Sequence, residues 1–278
     1  MEKIKIITDS SVDLPKEVLE KYNVEVMPVL INFGEESYLD GISITRDDVF
    51  RRIDKGDVFP TTAQITPNRF VEKFEKYLKE GYKILVIIMS SGMSGTYQSA
   101  CLAKNMLESQ NIEVIDSQSV CSGLGLLVIR AAKLVEKGFS LSEITLDLED
   151  IKNKINVSLS FDSLDNLVKG GRISKAVGVV TGVLGIKLIL EIKDGLMSVK
   201  DKVRGSKKAL KRILKDLQDS DLREDLPVIL INLDMEEISN PLREYMDENN
   251  IKYIDGTVGS TVGIHSGNKI SGIFFVSK

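Results

Sequence analysis

The sequence has no tryptophan, one histidine, two cysteines and six prolines in 278 residues. The cysteines, Cys101 and Cys121, lack metal-ligand spacing and lie in apolar surroundings. They read as two buried free thiols, which excludes a disulfide scaffold or a zinc ribbon. No Gly-x-x-x-x-Gly-Lys loop and no complete Gly-x-Gly-x-x-Gly motif occurs, so neither common phosphate cradle is available. Apolar runs stop short of the roughly 20 residues needed to cross a bilayer. The first ten residues lack a basic start and a cleavage site, so a cytoplasmic protein is expected. A formal net charge of −4, without basic and aromatic residues interleaved, argues against nucleic-acid binding.

What is present is ordinary for a globular protein of one large or two medium domains: 42% hydrophobic and 28% charged residues. The most informative stretch is Ser90-Ser91-Gly92-Met93-Ser94-Gly95-Thr96-Tyr97. It follows Ile84–Met89, an unbroken apolar run of strand length, as expected for a strand buried on both faces of a parallel sheet. Tyr97–Leu107 then has helix-forming composition. A strand-to-helix turn rich in glycine and hydroxyls offers close backbone approach and the free N–H groups of a helix start. A carboxylate or phosphate is expected there.

The same rhythm recurs along the first half. Lys3–Ile7 ends in Thr8-Asp9-Ser10-Ser11, and a helix follows with Asp13 as its cap and Pro15 in the first turn. Val24–Asn32 reads as one strand, Asp47–Asp54 as a short helix, and Phe59–Pro67 as a hydroxyl-rich loop before a helix at Asn68–Glu80. Ile112–Asp116 is the next strand, with Ser117-Gln118-Ser119 after it and an apolar helix at Leu126–Val135. Repeated strand, polar turn and helix predict a parallel α/β/α sheet whose crevice gathers Thr8-Asp9-Ser10, the 90–96 turn and Asp116-Ser117. Ser140–Lys154 closes this first domain, placed at 1–155.

The second domain, 156–278, begins with the alternating strand Asn156–Phe161. Leu164–Ser174 reads as a helical turn broken by Gly170-Gly171 that presents Arg172. Ala176–Leu190 is aliphatic and reads as core helix plus core strand, compatible with a tunnel wall. Asp194-Gly195 makes a hairpin turn between Leu188–Lys193 and Leu196–Val203. Residues 200–215 then hold eight cations in sixteen positions: Lys200, Lys202, Arg204, Lys207, Lys208, Lys211, Arg212 and Lys215. With Leu210, Ile213, Leu214 and Leu217 facing the core, Lys207, Lys211 and Lys215 line the opposite side of a helix. A solvated face and a docking patch for an acidic partner or phosphates are both open. Val228–Asn232 and Gly272–Val276 are strands, and Ser239–Asn249 is a helix. His265, the lone histidine, lies between glycine-bearing turns, which favours a functional role.

Ser94, Asp116 and His265 follow the chain order of an α/β-hydrolase triad. The nucleophile elbow needs Gly-x-Ser-x-Gly, whereas Thr96 stands at the final glycine. A serine hydrolase or esterase acting on an acyl substrate through Ser94 and His265 is therefore the alternative, and binding without catalytic residues the leading reading.

Taken together, Thr8-Asp9-Ser10, Pro60-Thr61-Thr62-Ala63-Gln64, Ser90–Ala100, Asp116-Ser117, Leu167–Ser174, Gly185-Ile186-Lys187, Lys202-Val203-Arg204 with Lys207-Lys208-Ala209, and Gly259–Gly267 resemble the DegV family nearly end to end. These are bacterial fatty-acid-binding proteins that serve as the FakB-type subunit of fatty acid kinase. Departures are Ala63 for a frequent serine, Leu188 for a frequent proline, and Gly267-Asn268-Lys269 for a common Gly-Pro-Gly turn. The resemblance implies an N-terminal three-layer α/β/α domain with a parallel sheet and a C-terminal two-layer α/β domain with a mixed sheet. One long-chain fatty acid would lie between them, with no other cofactor and no metal. By matching motif, Thr62 and Ser94 would bond the carboxylate with Gly95 and His265 close by. Arg172 and Arg204, with Lys207 and Lys208, would lie near the head group or the kinase contact. A separate ATP-dependent fatty acid kinase would phosphorylate the bound acid, and an acyl-phosphate acyltransferase would use the product for phospholipid synthesis.

Overall fold

The computed structural model describes residues 2–174 and 185–278. Within them no helix is long and apolar enough to span a membrane, and no cluster of acidic, histidine or cysteine side chains could hold a metal ion. The first half builds a four-stranded parallel sheet from β1 (Ile4–Asp9), β2 (Glu25–Met27), β6 (Lys83–Ile88) and β7 (Ile112–Asp116), in the order β2-β1-β6-β7. The apolar run at β6 is central, and Ile84–Ile88 are all fully buried, as a strand covered on both faces must be. Two helix pairs pack on this sheet, Pro67–Lys79 with Thr96–Leu107 and Ser122–Glu136 with Leu141–Ile151.

Val24–Asn32 is not one strand. Pro28 cannot donate a ladder hydrogen bond, and the run divides into β2 and β3 (Leu30–Phe33), which enter different sheets. β3 pairs antiparallel with β4 (Glu36–Leu39) and with β5 (Thr61–Ala63), the latter inside the stretch read as loop. That pairing fixes the backbone beside Thr62. Asp13 does not cap the next helix, which starts at Lys16 behind Pro15. It adopts a left-handed conformation (φ 45°) and its Oδ1 accepts from the Gly259 N–H at 2.9 Å.

The second half forms a six-stranded mixed sheet, ordered β10-β9-β8-β13-β11-β12. Its strands are β8 (Ile155–Phe161), β9 (Ile186–Lys193), β10 (Leu196–Arg204), β11 (Val228–Leu233), β12 (Tyr253–Asp255) and β13 (Ile270–Val276). Alternation along these strands divides the core. Ile189, Val228, Leu230, Ile273 and Phe275 face the amphipathic helices Ser206–Gln218 and Glu236–Glu248. Leu159, Phe161, Leu188, Leu190, Ile229, Ile231 and Phe274 face the opposite way, into the core they share with the parallel sheet. The Ser122–Glu136 helix lies in that shared core and contacts β1 and β6 as well as β8 and β13, which is why it is buried nearly all round. It starts four residues before the predicted Leu126.

The Asp194-Gly195 hairpin joins β9 to β10, with both residues at positive φ (51° and 74°). The aliphatic stretch Ala176–Leu190 lies outside the described residues up to position 184, and its remainder is β9. Cys101 is half-buried, against the expectation of a fully buried thiol, because it sits at the margin of the outward-facing side of the Thr96–Leu107 helix.

Candidate ligand-binding cavity

The carboxyl ends of β1, β6 and β7 carry three polar turns, and two carboxylates, the buried Asp9 and the half-buried Asp116, tie them together. Asp9 Oδ2 accepts from the Met89 N–H (2.8 Å) and Oδ1 from the Ser11 N–H (2.9 Å). Burial raises the Asp9 pKa, opposed by these bonds. Asp116 Oδ1 accepts from the Ser91 and Gln118 N–H groups at 3.1 and 2.9 Å. The Ser90 hydroxyl donates to the Gly195 carbonyl at 2.6 Å, so the first sheet's turn is pinned to the second sheet's hairpin.

Beneath these turns lies a cavity of about 230 Å³ between the two sheets. Its body is apolar: Val29, Met89, Met93 and Val120 from the first half, Leu159, Phe161, Ile192, Met197, Ile231, Ile270 and Phe274 from the second. The polar lining includes Thr62, Gln64, Ser94, Gly95, Arg172, Thr261, His265 and Ser266. Of the candidate residues, Thr62, Ser94, Gly95, Arg172 and His265 thus share one cavity. Arg204, Lys207 and Lys208 do not line it; they are exposed on β10 and the helix after it.

Thr62 Oγ1 and His265 Nε2 are 2.9 Å apart. His265 belongs to the helix Ser260–Ser266 rather than to a turn, and this helix packs on the Arg46–Asp54 helix and on the short helix Asp165–Lys169. Its Nδ1 is buried without a hydrogen-bond partner among the described residues. Gly170 leaves the room for it, since a Cβ there would sit 2.1 Å from that nitrogen. Burial, with the nearby Arg172 charge, lowers the His265 pKa to about 4, so the ring is neutral at pH 7. Arg172 turns back onto the turn it neighbours: Nε donates to the Met93 carbonyl at 3.2 Å and an Nη to the Gly170 carbonyl at 2.5 Å. Burial lowers its pKa as well.

Ser94 Oγ lies 2.9 Å from Thr96 Oγ1 and accepts from the Thr96 N–H at 3.2 Å. The helix that begins at Thr96 directs its positive end toward this hydroxyl pair. Gly95 permits the close approach of Gln64, whose Oε1 would lie 1.8 Å from a Cβ at position 95; Gln64 Nε2 donates to Ser99 Oγ at 3.1 Å. Gln64 was not among the residues singled out in the sequence, although it lies in the Pro60–Gln64 motif. Cys121 was also missed as a cavity residue. It lines the cavity in a strained conformation (φ 56°, ψ −138°), and burial raises its thiol pKa strongly.

A hydrolase triad does not assemble. His265 Nε2 is engaged by Thr62, its Nδ1 has no carboxylate partner among the described residues, and Asp116 is committed to backbone amides.

A family profile, described as that of the uncharacterised DegV family, matches residues 3–278. The chain belongs to the DegV family. A DegV domain-containing protein of Clostridium perfringens is 50% identical over 100% of both chains. Among solved structures, a fatty-acid-binding DegV family protein from Thermus thermophilus matches with a TM-score of 0.88 at 29% identity, covering 99% of this chain and 100% of that one. DegV of Bacillus subtilis, described as a fatty acid binding protein, matches with a TM-score of 0.86 at 29% identity over 100% of both. The α/β architecture with its parallel four-stranded and mixed six-stranded sheets is the one these DegV proteins have.

Proposed function

We propose that this protein is a fatty-acid carrier that buries a long acyl chain in the cavity between its sheets and holds the carboxylate at Thr62 and Ser94. The observation that carries this reading is an apolar cavity with the Thr62 and Ser94 hydroxyls and the neutral His265 in its lining, in a chain whose structural relatives are described as fatty-acid-binding. Burial at about 0.8 kcal/mol per CH₂ gives a long chain roughly 10 kcal/mol of gross stabilisation, so the tail supplies affinity. Hydrogen bonds to a charged head group add about 1.5–3 kcal/mol each before desolvation, which fixes where the head sits.

His265 sets the polarity of the hydrogen-bond chain. A buried unpaired N–H is the costlier orphan, so the proton belongs on Nε2 and points at Thr62 Oγ1. The Thr62 hydroxyl hydrogen is then free to donate to the carboxylate. Ser94 gives a second hydroxyl, and Gly95 lets the backbone approach. Arg172 leaves its guanidinium near the head group while its backbone bonds brace the Met93 turn.

The carrier presents this carboxylate to a partner ATP-dependent fatty acid kinase, which forms the acyl-phosphate. An acyltransferase then draws on the product for phospholipid synthesis. Arg204, Lys207 and Lys208 form the exposed basic surface proposed for kinase contact. The chemistry belongs to the partner: the sequence has neither nucleotide-binding motif, and no Ser94–His265–Asp116 triad assembles among the described residues.

Native mass spectrometry of the purified protein, with solvent extraction, tests the carrier reading. A stoichiometric fatty acid is the expected result. A protein that is empty and also takes up no added fatty acid overturns it. Given the carrier function, Ser94→Ala and Thr62→Ala should reduce acyl-phosphate formation by about tenfold or more while retaining most lipid affinity, because they remove head-group bonds and leave the tail wall intact. Wild-type phosphorylation of lipid bound to both variants would remove the carboxylate assignment.

A further inference from the structure

A second concavity, of about 470 Å³, opens at the seam between the two halves. One side is built by Lys21 and Tyr22, at the end of the Lys16–Lys21 helix, and by Lys133 of the Ser122–Glu136 helix. The other is built by the Glu224–Pro227 loop and Lys252, just before β12. Three lysines from separate parts of the chain therefore line the groove, with Lys21 Nζ 4.9 Å from the centroid of the Tyr22 ring. Among the described residues no carboxylate lies within salt-bridge distance of Lys21, Lys133 or Lys252. Lys133 is half-buried and is held by the backbone carbonyl of Asp225, at 2.5 Å, rather than by its carboxylate. That carboxylate is already engaged by Arg130 (2.7 Å) and Arg223 (2.7 Å). Burial lowers the Lys133 pKa, and Lys21 and Lys252 are near enough to lower it further, against the opposing pull of Asp225.

The groove thus carries three cations against one unneutralised acid, Glu224, in a protein whose formal net charge is −4. Such an excess matches a dianion better than a single carboxylate. The remaining lining is largely apolar and includes Val18, Tyr22, Ile129, Pro227 and Ile254. We infer that this seam groove is a binding site for a phosphate monoester, with the phosphate among Lys21, Lys133 and Lys252 and the carbon skeleton against Tyr22 and Pro227. The site is separate from the acyl cavity and shares no lining residue with it.

Isothermal titration calorimetry of the full chain, at constant ionic strength, tests the assignment with inorganic phosphate and phenyl phosphate as probes. Saturable one-to-one binding is expected, tighter for phenyl phosphate because of the apolar wall. Lys133→Met and Lys252→Met should each weaken it about tenfold, the loss of one charge-assisted bond, whereas Lys211→Met, far along another helix, should leave it unchanged. Lys252 is exposed, so its substitution keeps the test sound if Lys133→Met fails to fold. Co-sedimentation with vesicles of phosphatidylcholine, with and without phosphatidic acid, separates a lipid phosphomonoester from a free one: Lys252-dependent binding only to the acidic vesicles identifies the lipid source, and calorimetric binding alone the soluble one. Absence of saturable binding to either probe and to the acidic vesicles, or binding indifferent to both groove lysines, overturns the proposal.

Discussion

At the residue scale, His265 and Asp13 are two buried titratable groups with opposite consequences. The His265 pKa is held near 4, below its unfolded value of about 6.5. Between those values the unfolded chain binds the proton and the folded chain does not, so stability falls as pH drops from about 6.5 to 4. The span corresponds to about 3 kcal/mol. His265→Gln should remove that component: urea melts at pH 7 and pH 4 should show wild type losing more stability than the variant, and equal losses would contradict the burial argument. Asp13 carries the reverse sign. Burial raises its pKa well above the ordinary value, and its Oδ2 has no hydrogen-bond partner among the described residues. The raised pKa is then a cost to stability at pH 8 that fades as the pH falls below the folded pKa and is gone once the pH reaches the ordinary aspartate range, where the unfolded chain is protonated as well. Asp13→Asn keeps an acceptor for the Gly259 N–H and suits the left-handed backbone. It should raise the melting temperature at pH 8 and change it little at pH 4.

At the element scale, the basic stretch 200–215 separates into two kinds of cation. Lys200 and Arg212 are drawn onto Asp216, which also accepts from the Ser158 hydroxyl at 2.7 Å and is only 12% exposed at its side chain. Lys207, Lys208, Lys211 and Lys215 are exposed, with Lys202 and Arg204 beside them on β10. Arg212→Met should cost about 1–2 kcal/mol by weakening the compensation of a buried carboxylate. Lys211→Met should stay within about 0.5 kcal/mol. Urea denaturation of the two variants checks the contrast, and equal effects would mean that the whole row is solvated. The helical spacing contains the Arg212–Asp216 pair at i, i+4 but not the rest of this division, because Ser158 of β8 and Lys200 of β10 reach Asp216 only once those strands are laid beside the helix. The same limit explains the other differences. The β6 run, the Asp194-Gly195 turn and the Ser94-Gly95 helix start are local patterns and were legible. Pro28 was itself a local signal for the break, whereas the pairing of Thr61–Ala63 with β3 and the packing of the helix around His265 depend on partners distant in the chain. Gln64 over Gly95, and Gly170 under His265, are contacts between segments that no spacing rule connects.

At the scale of the whole molecule, the strands of the parallel sheet all precede β8, which begins at Ile155, and those of the mixed sheet run from β8 onward, yet the two sheets share one core. The Ser122–Glu136 helix is buried between them, and the cavity takes walls from both. Neither half can release its inner face without exposing the other's, so the two should unfold in one transition. Tyrosine is the intrinsic fluorophore here, since tryptophan is absent. Urea melts followed by tyrosine fluorescence and by far-ultraviolet circular dichroism should therefore coincide. A fatty acid bound in the cavity should shift the common transition as a unit, by about 2.7 kcal/mol at a free concentration one hundred times its Kd, since the folded state alone has the cavity. Two separated transitions, only one of them moved by lipid, would instead make residues 1–155 and 156–278 independent folding units and place the ligand within one of them.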